Sequence, residues 1–280
     1  MINLIGISGK IGSGKDTVDK IIQYLTQYND AGYTHPVSEK DFNRWLRNNH
    51  VEKSNWKIKK FEDKQKDIVC LLIGCTREQL EDESFLNKEL GEEWWYFYYE
   101  VDGKKMYPYL EYKDNPDYNT FLTKLTPRLL LQLLGTEFGR DIIHPSIWVN
   151  ALFADYKPTY NKKTPITIDT APNWIITDVE FPNQAKAIKD RGGILIRVNR
   201  DLYQYEDTQV SWEEFRKLIF KDTGKYPIKS FCANYKVVST SKSETALDNY
   251  ENGDYIVDNN GDIEERIEKV REILIKEKII

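Results

Sequence analysis

The sequence predicts an α/β fold: a doubly wound parallel sheet flanked by helices and interrupted by two insertions. A short apolar run, Leu4–Ser8, ends in glycine, as expected of a central strand buried on both faces. Apolar residues at helical spacing follow from about Asp16 to Tyr28 and stop at Asn29–Gly32. Later apolar runs alternate with helical segments, which is the order of β-α-β units in a parallel sheet.

The remaining core elements are predicted in the second half of the chain. Strands are predicted over Asn173–Asp178, Ile194–Val198 and Tyr255–Val257, which makes four with the first. Helices are predicted from Pro127 to about Gly135, from Ser146, over Gln184–Arg191, from a capping box at Ser241 and Glu244, and from Asp262.

Two stretches break this alternation. Residues 30–125 are rich in aromatic and charged residues and contain a predicted helix over Asp63–Gly74 and a hairpin turning at Asp102–Gly103. Residues 201–240 are polar, aromatic and basic, with no run long enough to join the sheet. The expected organisation is a core of 1–29 and 126–280, with 201–240 as a smaller insertion inside it.

Composition excludes several classes of protein. With 280 residues and 40% apolar content, the chain can bury one sizeable core, and a net charge of −5 argues against a nucleic-acid groove. The amino terminus has no basic leader, and no apolar run is long enough to span a bilayer. Three cysteines without zinc-site spacing fit buried thiols in a reducing cytoplasm, so a cytoplasmic location is expected.

The strongest functional signal is a phosphate-binding loop between the first strand and the first helix. Its residues are Gly9, Lys10, Ile11, Gly12, Ser13, Gly14 and Lys15, with the spacing of a Walker A motif. Glycines allow successive N–H groups to curl around a phosphate, and the helix that follows adds its positive dipole end. Lys15 would place a full charge between the β- and γ-phosphates. The loop predicts a nucleotide-dependent phosphotransferase with ATP as donor.

One position departs from the general motif. Asp16 stands where most such loops have a Ser or Thr that contacts Mg²⁺, and Thr17 comes one residue later. A carboxylate facing a triphosphate is repelled unless a cation intervenes. We therefore expect Mg²⁺ to be held largely by phosphates, water and a second acid, with Asp16, Thr17 and Asp178 as its candidate protein contacts.

Several segments resemble one family in the same order along the chain. The loop with Asp16-Thr17 resembles the Gly-Lys-Asp-Thr loop of phage-type deoxynucleoside monophosphate kinases. Arg128–Glu137 with Gly139-Arg140-Asp141, then Ile176–Val179 with Phe181-Pro182-Asn183, and Ser243–Asp248 are similar to later motifs of that family. The resemblance covers nearly the whole chain apart from 80–125 and 201–240.

The resemblance implies transfer of the γ-phosphoryl of ATP to the 5′-phosphate of a deoxynucleotide. It makes 30–125 the monophosphate-binding insertion and 201–240 the lid. The residues fit these roles: Arg128 and Arg140 can clamp an acceptor phosphate. Asp178 ends a buried strand where ligands bind in open α/β sheets. Arg197 and Arg200 precede the expected lid and are candidate contacts of the donor nucleotide.

The chain also departs from the family pattern. Glu180 and Gln184 occupy places where the family usually has Arg and Glu, and Ser241 stands where a histidine is expected. Two alternatives stay open: a kinase for another small phosphorylated acceptor, or a nucleotide-binding regulatory protein that has lost transfer. The partners expected are nucleotides, with neither nucleic acid nor membrane; base preference and oligomeric state, a homodimer included, stay open.

Overall fold

The protein is described by a computed structural model that covers residues 2–10, 12–32, 38–48, 50–101, 104–106, 121–157, 171–200, 209–211, 236–238, 247 and 253–280. The chain divides into two compact units. The first comprises 1–61 and 153–280, and the second comprises 62–152. Each unit is described by itself.

The elements follow one another in an α/β order. The strands are β1 Leu4–Ser8, β2 Lys57–Lys59, β3 Trp95–Val101, β4 Lys104–Met106, β5 Phe121–Lys124, β6 Trp174–Ile176, β7 Ile194–Asn199, β8 Gln209–Ser211, β9 Lys236–Val238 and β10 Tyr255–Asp258. The α-helices are α1 Lys15–Asp30, α2 Glu39–Arg47, α3 Asp63–Ile73, α4 Glu83–Leu86, α5 Pro127–Leu133, α6 Ile147–Phe153, α7 Pro182–Lys189 and α8 Ile263–Lys276. A π-helix spans Leu134–Ile143, and 3₁₀ turns span His50–Lys53, Gln79–Glu81 and Glu92–Trp94.

A five-stranded sheet forms the centre of the first unit, in the order β10-β7-β1-β6-β2. Each neighbouring pair is parallel, with Ile5 opposite both Ile175 of β6 and Ile194 of β7. All five residues of β1 are buried, as predicted for a central strand. The predicted α/β fold with a parallel sheet flanked by helices is confirmed.

Helices α1 and α8 contribute most of the helical side of this core. Fully buried Val18, Ile21 and Ile22 of α1 pack in one cluster with Val270 and Leu274 of α8. Helix α8 begins at Asp262, whose carboxylate accepts a hydrogen bond from the Glu265 N–H at 2.9 Å. An acidic N-cap of this kind satisfies an amide that the helix itself leaves unpaired.

The second unit combines helices with a small antiparallel sheet in the order β4-β3-β5. Val101 pairs with Lys104, so the predicted hairpin is confirmed around residues 102 and 103. Helix α5 begins as predicted at Pro127, where the Thr126 hydroxyl accepts a hydrogen bond from the Leu129 N–H at 3.2 Å. The predicted end near Gly135 is wrong, because the chain continues as a π-helix to Ile143.

The structure corrects two further predictions. Strand β2 lies inside residues 30–125 yet belongs to the core sheet, which therefore has five strands rather than four. The sequence also gives no sign of β5, and within residues 201–240 strands β8 and β9 pair in parallel as a two-stranded sheet of their own. Cys70 and Cys75 are half-buried free thiols rather than fully buried ones.

The predicted helix from the capping box at Ser241 and Glu244 lies outside the described residues. In the part of the chain that the structure describes, no helix is long and apolar enough to cross a membrane.

Candidate active site

The carboxyl ends of the parallel strands meet along one edge of the sheet. Strand β1 leads there into Gly9, β6 into Thr177 and Asp178, and β7 into Arg200, while Asn259 follows β10 directly. Ligands of open α/β sheets bind outside this edge. Residues distant in sequence are therefore collected around the phosphate loop.

The loop has the conformation that its glycines predict. Gly12 and Gly14 have φ of 76° and 96°, in the left-handed region that glycine adopts most readily. The Ser13 N–H donates to the Lys10 carbonyl at 3.0 Å, which closes a tight turn, and α1 starts at Lys15. The first N–H groups of α1 therefore face the end of the loop, where an anion is favoured.

Lys15 is positioned over this loop. Its ammonium donates to the carbonyl oxygens of Gly9 and of Lys10, the latter at 3.1 Å. Asp16 is exposed in the first turn of α1, and Thr17 beside it is half-buried. The charged end of Lys15 is thus within the loop itself, where it can contact a bound phosphate.

The two arginines predicted near the donor nucleotide have different surroundings. An Arg200 guanidinium nitrogen donates to the Gly12 carbonyl at 3.3 Å, so this residue touches the loop. Arg197 instead donates to the carbonyl of Leu247 at 2.8 Å and to Oδ1 of Asn199 at 3.3 Å. These bonds tie Arg197 to the end of its own strand and to residue 247, and its contact with the donor nucleotide stays a prediction.

Asp178 follows β6 and is half-buried at the sheet edge. Its Oδ1 accepts a hydrogen bond from the Phe61 N–H at 2.9 Å, which ties the end of β6 to the residues after β2. Thr177 beside it is 3% exposed, and its hydroxyl has no hydrogen-bond partner among the described residues. The described residues contain no group of three or more His, Cys, Asp and Glu side chains able to hold a metal ion.

Sequence reasoning missed a buried acid in the same region. Asp19, on the first turns of α1, is 3% exposed, and its Oδ1 lacks a partner among the described residues. Burial raises its pKa to about 7, opposed by Lys20 and reinforced by the negative charge of Asp16. In the sequence, Asp19 looks like any other polar residue of an amphipathic helix. Its burial becomes evident only in the folded structure.

Arg128 and Arg140 belong to the second unit. Arg128 forms an ion pair with Glu83 and donates from Nε to Oδ1 of Asn87 at 2.9 Å. Arg140 is half-buried on the π-helix. Their contact with an acceptor phosphate stays a prediction.

Comparison with known proteins adds the observation that identifies the family. The family model for deoxynucleotide monophosphate kinase matches residues 3–214. The chain belongs to this family.

Two curated members of the deoxynucleotide monophosphate kinase family are similar to it. The deoxynucleoside-5′-monophosphate kinase of Escherichia phage T5 is 26% identical over 219 residues, which are 67% of this chain and 72% of the phage protein. A putative deoxynucleotide monophosphate kinase of Acanthamoeba polyphaga mimivirus is 30% identical over 125 residues, which are 42% of this chain and 61% of that protein.

One departure from the family pattern now has a structural interpretation. The side-chain oxygen of Gln184 accepts hydrogen bonds from the N–H groups of Glu180 and Phe181, at 2.8 and 3.0 Å, at the start of α7. A glutamate would cap these amides through the same oxygen, so Gln184 keeps the local structure. Glu180 is half-buried beside it, and its effect on the acceptor stays a prediction.

Proposed function

We propose that this chain transfers the γ-phosphoryl group of ATP to the 5′-phosphate of a deoxynucleoside monophosphate, giving a deoxynucleoside diphosphate and ADP. The observation that carries the proposal is a phosphate loop, with Lys15 lying over it, at the carboxyl edge of a parallel sheet in a chain of this family.

The loop residues would act mainly by position and charge. Transfer between two phosphates needs little covalent chemistry from the protein, so placing the groups in line and stabilising charge supply most of the rate. Backbone N–H groups at the end of the loop, that of Gly14 among them, would bind the β-phosphate, and Lys15 would stabilise the negative charge that shifts as the γ-phosphoryl group is transferred. Arg200, already bonded to the Gly12 carbonyl, adds a second cation beside the loop.

Mg²⁺ is the metal that this chemistry implies. It prefers oxygen ligands and usually keeps several waters, held by one or two carboxylates and the substrate phosphates. Exposed Asp16 and half-buried Thr17 follow the loop directly, and half-buried Asp178 follows β6 at the same edge of the sheet, so their few oxygens fit such a sparsely coordinated ion. When bound, the ion would neutralise charge on the phosphates.

The acceptor side of the proposal rests on the second unit and on residues 201–240. Arg128 and Arg140 are proposed to bind the phosphate of the acceptor nucleotide, since planar guanidinium groups match its oxygens. The part of 30–125 outside the core sheet would hold the monophosphate, and 201–240 would cover the donor. A site closed against water favours transfer over hydrolysis.

The deciding experiment measures ADP release with each deoxy- and ribonucleoside monophosphate in turn. We expect ADP to form at a rate that depends on a particular deoxynucleotide, with little ATP hydrolysis when none is present. Activity with another phosphorylated acceptor alone would show that the protein is a kinase for that acceptor instead. ATP binding without ADP release for any acceptor would show a nucleotide-binding regulatory protein.

Lys15→Ala tests the loop in the same assay. We expect turnover to fall by about 100-fold or more, because a charge that stabilises the transferring group is lost. Lys186→Ala is the matched control: Lys186 is exposed and pairs with Asp190 on α7 at 2.8 Å. Near-normal turnover of Lys15→Ala would contradict the assignment of the loop.

A further inference from the structure

Asn259 is hydrogen-bonded to the phosphate loop although it belongs to no sequence motif. It follows β10 directly and is 6% exposed. Its side-chain Nδ2 donates to the Ser13 carbonyl at 2.6 Å, across 246 residues of sequence. Its own N–H donates to the Asn199 carbonyl at 2.7 Å, which fixes the residue to the end of β7.

The contact is close enough to shape the loop. A Cβ placed on Gly14 would lie 2.2 Å from Nδ2 of Asn259, so the amide occupies the space that any other residue at position 14 would need. Gly14 has φ of 96°, which adds backbone strain to the same substitution. The amide of Asn259 can therefore pack in this position because residue 14 has no side chain.

Holding the Ser13 carbonyl also fixes a phosphate donor. The peptide unit that joins Ser13 to Gly14 is planar and trans, so the Gly14 N–H points opposite to the Ser13 carbonyl. An amide that holds the carbonyl in place therefore also fixes the direction of the Gly14 N–H. Arg200 holds the neighbouring Gly12 carbonyl by a hydrogen bond of 3.3 Å, which fixes the preceding peptide unit of the loop as well.

Fold stability alone does not account for an asparagine here. Its Oδ1 is buried and has no hydrogen-bond partner among the described residues. A buried acceptor without a partner destabilises the folded state, which offsets much of what the bond to Ser13 contributes. The clearest effect of this side chain is therefore its hydrogen bond to the loop.

We propose that Asn259 is a positioning residue for the donor nucleotide, which orients the Gly14 N–H toward the bound phosphates by holding the Ser13 carbonyl. The inference rests on the proposed function and names a residue that supports its donor site. Asn259 would act on the phosphate end of the donor nucleotide, and not on recognition of the base or of the acceptor.

Asn259→Asp and Asn259→Ala test this role. Aspartate keeps the shape but loses the donor and faces a carbonyl with another acceptor, while alanine removes the side chain without adding charge. We expect both to raise the dissociation constants of ADP and of inorganic tripolyphosphate at least tenfold by calorimetry. The Michaelis constant for the deoxynucleotide should stay within twofold.

Asn3→Asp is the matched control. The Asn3 amide also donates to a backbone carbonyl, that of Ala171 at 3.2 Å, but it precedes β1 at the opposite end of the strand. We expect this variant to lower the melting temperature while ADP and tripolyphosphate bind as in the wild type. A purely structural Asn259 would behave like it.

Two results would overturn the inference. Unchanged tripolyphosphate affinity in both Asn259 variants would show that the loop needs no support from this side chain. Weaker binding of ADP with unchanged tripolyphosphate would place the side chain at the adenosine end instead. Because tripolyphosphate binding needs no acceptor, the inference can hold even if no deoxynucleotide is phosphorylated, so the two proposals fail separately.

Discussion

At the scale of single residues, the buried carboxyl of Asp19 makes stability depend on pH. Burial raises its pKa from 3.8 to about 7. Between roughly pH 4 and 7 the folded chain keeps a proton that the unfolded chain releases, so the free energy of unfolding falls as pH rises through that window. The ionised carboxylate of Asp19 thus destabilises the folded state, and this destabilisation reaches its full size only at a pH above the raised pKa.

Asp19→Asn removes the buried charge that destabilises the folded state. We expect the free energy of unfolding of the variant, relative to wild type, to grow by on the order of 2–4 kcal/mol between pH 4 and pH 8. Urea unfolding in the presence of EDTA measures it without bound metal. Parallel profiles for Asp19→Asn and wild type would contradict a carboxyl that titrates near neutrality.

Glu180 and Gln184 provide a second prediction at this scale. Glu180→Arg restores a cation where an anionic acceptor is expected, so the Michaelis constant for the deoxynucleotide should fall severalfold. Gln184→Glu should leave it unchanged, because the capping bonds to the N–H groups of residues 180 and 181 need only the side-chain oxygen. An unchanged constant in Glu180→Arg would place residue 180 away from the acceptor phosphate.

At the scale of elements, the π-helix over Leu134–Ile143 depends on one glycine. A Cβ on Gly139 would lie 2.4 Å from the Leu134 carbonyl oxygen and 2.9 Å from the ring of Trp148. The Trp148 indole N–H also donates to the Gly135 carbonyl at 2.9 Å. The tryptophan therefore packs against the π-helix at two points, and neither leaves room for a side chain at 139.

Gly139→Ala should destabilise the protein by about 1–3 kcal/mol, since overpacking forces the helix or the ring to move. The measurement is the free energy of unfolding in urea. Gly253→Ala is the control, because no described atom lies within 4 Å of a Cβ placed there. If both variants lose equal stability, the loss comes from backbone preference rather than from the packing of Trp148.

The elements that sequence analysis missed are those that long-range contacts determine. Strand β2 has only Ile58 between two lysines, a pattern too short to predict a strand, and it forms by pairing with β6. The π-helix has ordinary helical periodicity in sequence, and its contacts with Trp148 exist only in the folded chain. The phosphate loop was predictable because its glycines and Lys15 act locally. Asn259 was not, because its role exists only once β10 lies beside β7.

At the scale of the whole first unit, the central sheet and its helices combine residues from the amino-terminal and the carboxyl-terminal parts of the chain. Strand β1 sits in the middle of the sheet, and both of its partners, β6 and β7, come from beyond residue 173. Helix α8 packs against α1, which begins with Lys15. The nucleotide loop therefore rests on a core that forms only when both ends of the chain are in place.

Leu274→Ala tests this dependence. Leu274 on α8 is fully buried in the core cluster with α1, so truncation should cost about 2–5 kcal/mol through lost burial and a cavity. Its neighbour Ile275 is 50% exposed, and Ile275→Ala should stay within about 0.5 kcal/mol of wild type. Because α8 contributes packing and no loop contact through Leu274, the Michaelis constant for ATP, measured well below the melting temperature, should not change. A raised constant with unchanged stability would instead assign Leu274 a part in shaping the loop.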